Sequence, residues 1–342
     1  MAALPTFDGH NDALTRADHD GIVDGRPGGH LDLPRMRAGG VRGGIFAIFT
    51  PSDGARREPL PRADGVLEFE LAPAVAHAEA AAHASAVAGR LLALERAGHV
   101  RVAREIADVD SAHGDDGPPV AVLHLEGAEA IDPGLEALDL WHAAGLRSLG
   151  LVWSRPNAFG CGVPFVSPSS PDIGPGLSAA GAALVRRCAE LGVLVDLSHL
   201  NEAGFWDVAR LDAGPLVASH SCAHSLCAAS RNLTDAQLDA IGASGGLVGI
   251  VFACPFLRAD FADDPDTPLS LIVEHARYIS ERIGVAHVAL GSDFDGATVP
   301  AALGDVAGIP RLLGAFADAG FSEEEIAAIA WSNWRRALAA WW

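Results

Sequence analysis

The residues of this chain best suited to chemistry sit at the ends of short apolar runs. Phe7-Asp8-Gly9-His10-Asn11-Asp12 offers an imidazole and a carboxylate two residues apart, so that both can turn toward one cation. A polar turn with a capping aspartate accounts for the same residues, and the pair alone decides nothing. Glu126 ends the apolar run Val120–Glu126, where a carboxylate needs either a shared cation or an arginine from a neighbouring loop. Val195-Asp196-Leu197-Ser198-His199 and Val217-Ala218-Ser219-His220 end in imidazoles on successive runs. A lone histidine at such a place is usually a hydrogen-bonded core residue; two in succession, with His10 from the first run, favour a metal site.

Gly291-Ser292-Asp293-Phe294-Asp295 closes a further run with two carboxylates, and beside a metal pair Asp293 suits proton transfer during hydrolysis. Asp295 is better read as part of an Asx-stabilised turn. Arg231 has the bidentate fork to hold a substrate carboxylate, or is a surface arginine. Asp196, three residues before His199, reads as a supporting or structural group. His30 lies in a glycine-rich loop that can face the same region. A Cys–His nucleophile made from His224 with Cys222 or Cys227 would compete with a metal site for space and is disfavoured.

These residues need a scaffold that gathers strand ends. Apolar runs recur at Pro5–His10, Gly44–Thr50, Val120–Glu126, Arg147–Trp153, Leu194–His199, Leu216–His220, Leu247–Phe252 and Val288–Asp293. Helical patterns separate them: Ala74–Ala97, Ala179–Leu191 capped by Ser178, Thr234–Ile241 with a Thr234/Gln237 capping box, and Ser322–Ala340 with a Ser322/Glu325 box. Eight near-continuous apolar strands alternating with helices predict a (β/α)₈ TIM barrel, in one domain over residues 1–342. The competing doubly wound sheet lacks its G-x-G-x-x-G turn here. Barrel enzymes work at the C-terminal ends of the strands, where His10, Glu126, His199, His220 and Asp293 would all meet. The Pro/Gly-rich stretches Arg155–Gly176 and Cys254–Pro268 follow the fourth and seventh runs and are expected as loops over the mouth.

Composition narrows the function further. Hydrophobic residues make up 49% of the 342, enough for one continuous core. A net charge of −20 disfavours nucleic acid and anionic membranes as partners. The chain opens without a basic-then-apolar leader and holds no bilayer-length apolar run, which reads as cytoplasmic. Its five cysteines lack CxxC pairing and read as reduced thiols. All 24 basic residues are arginine, which rules out Schiff-base catalysis, a P-loop and a carboxylated-lysine metal bridge.

Nearly end to end, the chain resembles the membrane (renal) dipeptidase family of zinc peptidases. The resemblance is carried by FDGHND, HLEGAE, GLSAAGAALVRRCAELGVLVDLSHL, SHSCAHSLCAASRNLTDAQL, GSDFDG and SNWRRAL. It implies two zinc ions, one bound by His10, Asp12 and Glu126, the other by Glu126, His199 and His220, with hydroxide between them as nucleophile. It also implies that Arg231 binds the carboxylate of a dipeptide and that Asp293 passes the proton to the leaving amine. Where animal members have a substrate-contacting histidine, this chain has Trp153, and their tyrosine after the seventh strand is replaced by Phe252-Ala253-Cys254. A soluble, bacterial-type dipeptidase follows, with a homodimer suggested by the family and C-terminal D-residues among the candidate substrates. The alternatives are another binuclear-zinc hydrolase, acting on cyclic amides or lactones or as a deaminase, and a catalytically silent metal-binding homologue.

Overall fold

The structure is a computed structural model that describes residues 4–52, 60–62, 64–69, 73–114 and 117–342. Eight parallel strands run β1 (Thr6–Asn11), β2 (Val41–Phe49), β3 (Val120–Glu126), β4 (Leu146–Gly150), β5 (Leu194–Asp196), β6 (Val217–Ser221), β7 (Leu247–Ile250) and β8 (Val288–Leu290), each paired with the next. The ring closes where Asn11 bridges Phe294. There the Asp293 amide donates to the His10 carbonyl at 3.0 Å, and the Asp12 amide to the Phe294 carbonyl at 2.8 Å. This is the expected (β/α)₈ barrel, and all eight apolar runs supply a strand.

Alternation along β3 shows how the sequence sorts its faces. Ala121, Leu123 and Leu125 pack outward among the helices. Val120 and Val122 point inward, with Phe7, Ile45, Leu194, Val217, Leu247 and Ala289. Carrying the two-residue period onward puts His124 and Glu126 inside as well, at the upper end. The lower end is plugged by Trp331 and Trp334, the latter donating from Nε1 to the Leu290 carbonyl at 2.8 Å.

Helix Ala179–Leu191 begins on the Ser178 cap, and Asp235–Ala243 on the Thr234/Gln237 capping box. The Ala-rich stretch forms His77–Arg96. The expected last helix is divided: Glu323–Ala327, a wide π turn at Ala328–Ser332 and Asn333–Ala339. That wide turn lies where the two tryptophans enter the barrel.

Five strands end sooner than the apolar runs suggest, β2 by one residue, β7 by two and β4, β5 and β8 by three. β5 stops at Asp196 and β8 at Leu290, because His199 (φ 68°) and Asp293 (φ 60°) take left-handed backbone that no ladder continues. β4 stops at Gly150, before Trp153. The mouth segments are also more ordered than loops. Leu60–Pro61, Leu67–Phe69 and Phe165–Ser167 form a small antiparallel sheet, and Cys254–Leu257 is a short helix. Among the described residues no helix is long and apolar enough to cross a membrane.

Candidate metal centre

The upper barrel interior gathers all five expected ligands. Glu126 is the hub: its Oε1 lies 3.0 Å from His199 Nε2 and 3.5 Å from both His10 Nε2 and His220 Nε2. His199 and His220 bring their Nε2 atoms within 3.0 Å of each other, and Asp12 Oδ2 lies 3.8 Å from His10 Nε2. Four triads of potential ligand atoms result among the described residues; two of them, His10/Asp12/Glu126 and Glu126/His199/His220, share the glutamate, and the others are His10/His220/Asp293 and His10/His124/Asp196. Among the described residues no arginine pairs with Glu126; the buried Arg155 binds Glu129 instead at 2.9 Å.

The electrostatics of this cluster ask for cations. Burial holds the Glu126 and Asp12 carboxyls well above the usual range, reinforced for Glu126 by Asp293 and for Asp12 by Glu126 and Asp293. Burial likewise depresses His10, His199 and His220 well below the ordinary imidazole value, with Arg231 and neighbouring histidines adding to it. Neutral imidazoles beside carboxyls that resist ionising are the reverse of an ion-pair network, and a divalent cation inverts that preference. Both ring nitrogens of His10 and Oδ1 of Asp12 are buried without a hydrogen-bond partner. Such orphaned atoms are costly unless something binds them. The donor set of imidazoles and carboxylates suits zinc.

Side chains behind the cluster aim it. Ser154 Oγ holds His199 Nδ1 at 2.7 Å, and Ser219 Oγ holds His220 Nδ1 at 2.7 Å, which leaves Nε2 facing the centre in each. Ser219 is itself fixed to Asp196, whose Oδ1 accepts from the Ser219 and Ser198 amides at 2.8 and 3.1 Å. Asp8 ties β1 to β8 by accepting from the Ser292 amide and hydroxyl, both at 2.8 Å. Its burial raises its carboxyl to about 6. The sequence reading passed over Asp8, Ser154 and Ser219. For Asp8 and Ser219 the available signal was a polar residue inside an otherwise apolar run, two positions from His10 and one from His220; Ser154, 45 residues from His199, carried none.

Asp293 is half-buried beside the cluster, its carboxyl pushed up to about 7 by desolvation against the opposing pull of Arg231 and a hydrogen bond from Asp12. Gly296 leaves it room: a Cβ there would come within 2.2 Å of Asp12 Oδ2 and 2.3 Å of Asp293 Oδ1. Arg231 is buried, not on the surface, and donates from Nη1 to Ser221 Oγ and from Nη2 to the His220 carbonyl, each at 2.8 Å. Its Nε has no partner. Trp153 is half-buried with its ring 5.8 Å from that of His199.

Asp295 differs from the expected Asx turn. Its carboxylate pairs with Arg26 at 3.0 Å and accepts from the His30 amide, while His30 Nδ1 accepts from the Asp295 amide at 3.0 Å. Cys222 and Cys227 lie buried against the carbonyls of Val251 and Pro255, their thiols pushed up by burial, which suits packing and not nucleophilic attack.

Known proteins resemble this chain over nearly its whole length. The family model described as membrane dipeptidase (peptidase family M19) matches residues 1–341. A metallopeptidase from Rhodobacter sphaeroides, crystallised with a phosphinate mimic of the dipeptide L-Ala-D-Ala, is similar at 45% identity and TM-score 0.95, over 99% of this chain and 100% of that one. The crystal structure of the metallopeptidase called dipeptidase AC is similar at 46% identity and TM-score 0.92, over 99% of each chain. An uncharacterised Klebsiella pneumoniae protein from the pqqA 5′ region is 47% identical over 72% of this chain and 90% of its own length.

Proposed function

This chain belongs to the membrane dipeptidase family and is a metallo-dipeptidase, and on that premise we propose that it cleaves dipeptides, including those with a C-terminal D-residue, with two zinc ions. His10, Asp12 and Glu126 would hold one ion, and Glu126, His199 and His220 the other, Glu126 being shared. Bound there, the ions would supply an activated water and polarise the scissile carbonyl. The carrying observation is Glu126 Oε1 within 3.5 Å of three imidazole nitrogens.

The remaining roles belong to the chain's own groups. Asp293, with a carboxyl near neutrality, accepts the proton released on attack and returns it to the departing amine. Arg231 receives the substrate carboxylate through the guanidinium hydrogens not already given to Ser221 and the His220 carbonyl, which fixes the register of the scissile bond. Trp153 lines the substrate pocket beside His199. A D-residue at the C-terminal position is supported by the L-Ala-D-Ala mimic on the Rhodobacter sphaeroides relative. A single domain over residues 1–342 and a homodimer complete the proposal; Trp341 and Trp342 bond the chain's own Pro215 and Arg147 carbonyls at 3.2 Å.

The test is a panel of L-L and L-D dipeptides, tripeptides, lactones and nucleobases, with metal analysis. We expect dipeptide cleavage alone, two zinc ions per chain, loss on chelation and recovery with zinc. Turnover of a lactone or nucleobase without dipeptide cleavage points to the other hydrolases, and metal binding without turnover to a silent homologue.

A further inference from the structure

One part of the mouth is neither metal ligand nor carboxylate anchor. Phe49, at the end of β2, Trp153, after β4, and Phe165, in the small sheet, form a continuous aromatic wall. Their ring centroids are 4.9 Å apart between Phe49 and Trp153 and 5.5 Å apart, edge to face, between Trp153 and Phe165. The Trp153 and Phe165 rings stand 5.8 and 6.0 Å from that of His199. All three side chains are partly exposed, in a molecule whose other large apolar groups are mostly buried.

The wall is backed by a buried arginine and carries no unbalanced charge. Arg155, fully buried behind it, sets its guanidinium carbon 5.3 Å from both the Phe49 and Trp153 rings. That guanidinium is spent on Glu129, the Thr50 carbonyl and Ser52 Oγ, at 2.9, 2.9 and 3.2 Å. It supports the rings through their faces and offers no charge to the mouth.

Strand order says which part of a substrate meets it. In a closed ring of eight, β2 lies across from β6, and Arg231 follows β6. A dipeptide with its carboxylate at Arg231 and its scissile bond over Glu126 and His199 sends its first residue toward β2 and β4. Resting on the dipeptidase reading, we propose that Phe49, Trp153 and Phe165 select dipeptides whose N-terminal residue has an apolar, above all aromatic, side chain. A charged side chain there would lose its water and gain no partner, whereas a ring stacks edge to face.

The experiment measures kcat/KM of the zinc-loaded enzyme for L-Phe, L-Leu, L-Ala and L-Asp, each followed by the same D-Ala. Phe and Leu should exceed Ala and Asp by about tenfold or more, the discrimination that an apolar pocket yields. In Trp153→Ala and Phe49→Ala the Phe-to-Ala ratio should fall toward one, while Trp153→Phe restores it; circular dichroism and metal content verify that each variant is folded and loaded. A flat profile in the native enzyme overturns the inference, as does a ratio unmoved in both folded alanine variants, with dipeptide cleavage intact in either case. Absence of cleavage of every dipeptide, with two metals bound, instead overturns the dipeptidase reading and this inference with it.

Discussion

The two ends of this barrel's interior are built from the same strands to opposite rules. Below, Phe7, Val120, Val122, Leu194, Val217 and Leu247 meet Trp331 and Trp334 in a dry, hydrocarbon plug. Above, on those strands or a few residues past their ends, stand His10, His124, Glu126, Asp196, His199 and His220, equally buried and almost wholly polar. The lower half lowers the free energy of the fold by removing apolar surface from water. The upper half raises it, since polar groups desolvated without full partners cost free energy that only a bound cation returns. Stability and chemistry are thus separated along the barrel axis, and substitutions should divide accordingly.

The sharpest division comes from the hub. Glu126→Ala should lower kcat/KM by about 10³-fold or more, because charge stabilisation and water activation are lost together. Its metal-free form should melt no lower than the metal-free native protein, since a carboxyl that burial disfavours has been removed. A metal-free melting temperature several degrees below native would break the separation.

Asp293→Asn should cost about 10²- to 10⁴-fold in kcat with metal content retained. The metal-free protein supplies a pH test of the same residue. A carboxyl raised to about 7 in the fold binds its proton more tightly there than in the unfolded chain, where it titrates near about 3.9. Its contribution is therefore fully present below about pH 4 and lost as pH rises through about 7. The native melting temperature should fall relative to that of Asp293→Asn across this window; a constant difference would refute the shift.

At the opposite end, Trp334→Ala should destabilise the fold by about 3–5 kcal/mol, as large-to-small core changes do, with kcat per folded molecule preserved. Denaturant unfolding with active-site titration separates the two. The smallest effect expected is that of Ser219→Ala, a loss of about 10- to 100-fold in metal affinity, the usual cost of freeing a ligand imidazole. Competition with a chelator of known affinity measures it, and an unchanged affinity would mean that Asp196 and Ser219 serve only the fold.

Much of the lower half was legible in the sequence, because apolar periodicity is local: every run yielded a strand, and the Ser178 and Thr234 caps began helices where expected. The gathered residues of the upper half were legible one at a time as strand-end histidines and carboxylates. Their supports were not, since Ser154 reaches His199 across 45 residues and Ser292 reaches Asp8 across 284, and no short-range pattern records such pairs. Strand ends were overextended for a related reason. Apolar character persists past β5 into Leu197, but the backbone turns left-handed at His199, as it does at Asp293 beyond β8, to aim their side chains, a strain of the kind that collects at functional sites.

Closure of the ring by β1 against the segment after β8 has an effect on biosynthesis. The carbonyl of His10 receives its hydrogen bond from Asp293, so the first ligand is locked by the segment that follows the last barrel strand, and the tryptophan plug is made later still. A nascent chain therefore exposes histidines and carboxylates before the site is finished, and the complete ligand set forms only once the segment after β8 has been made.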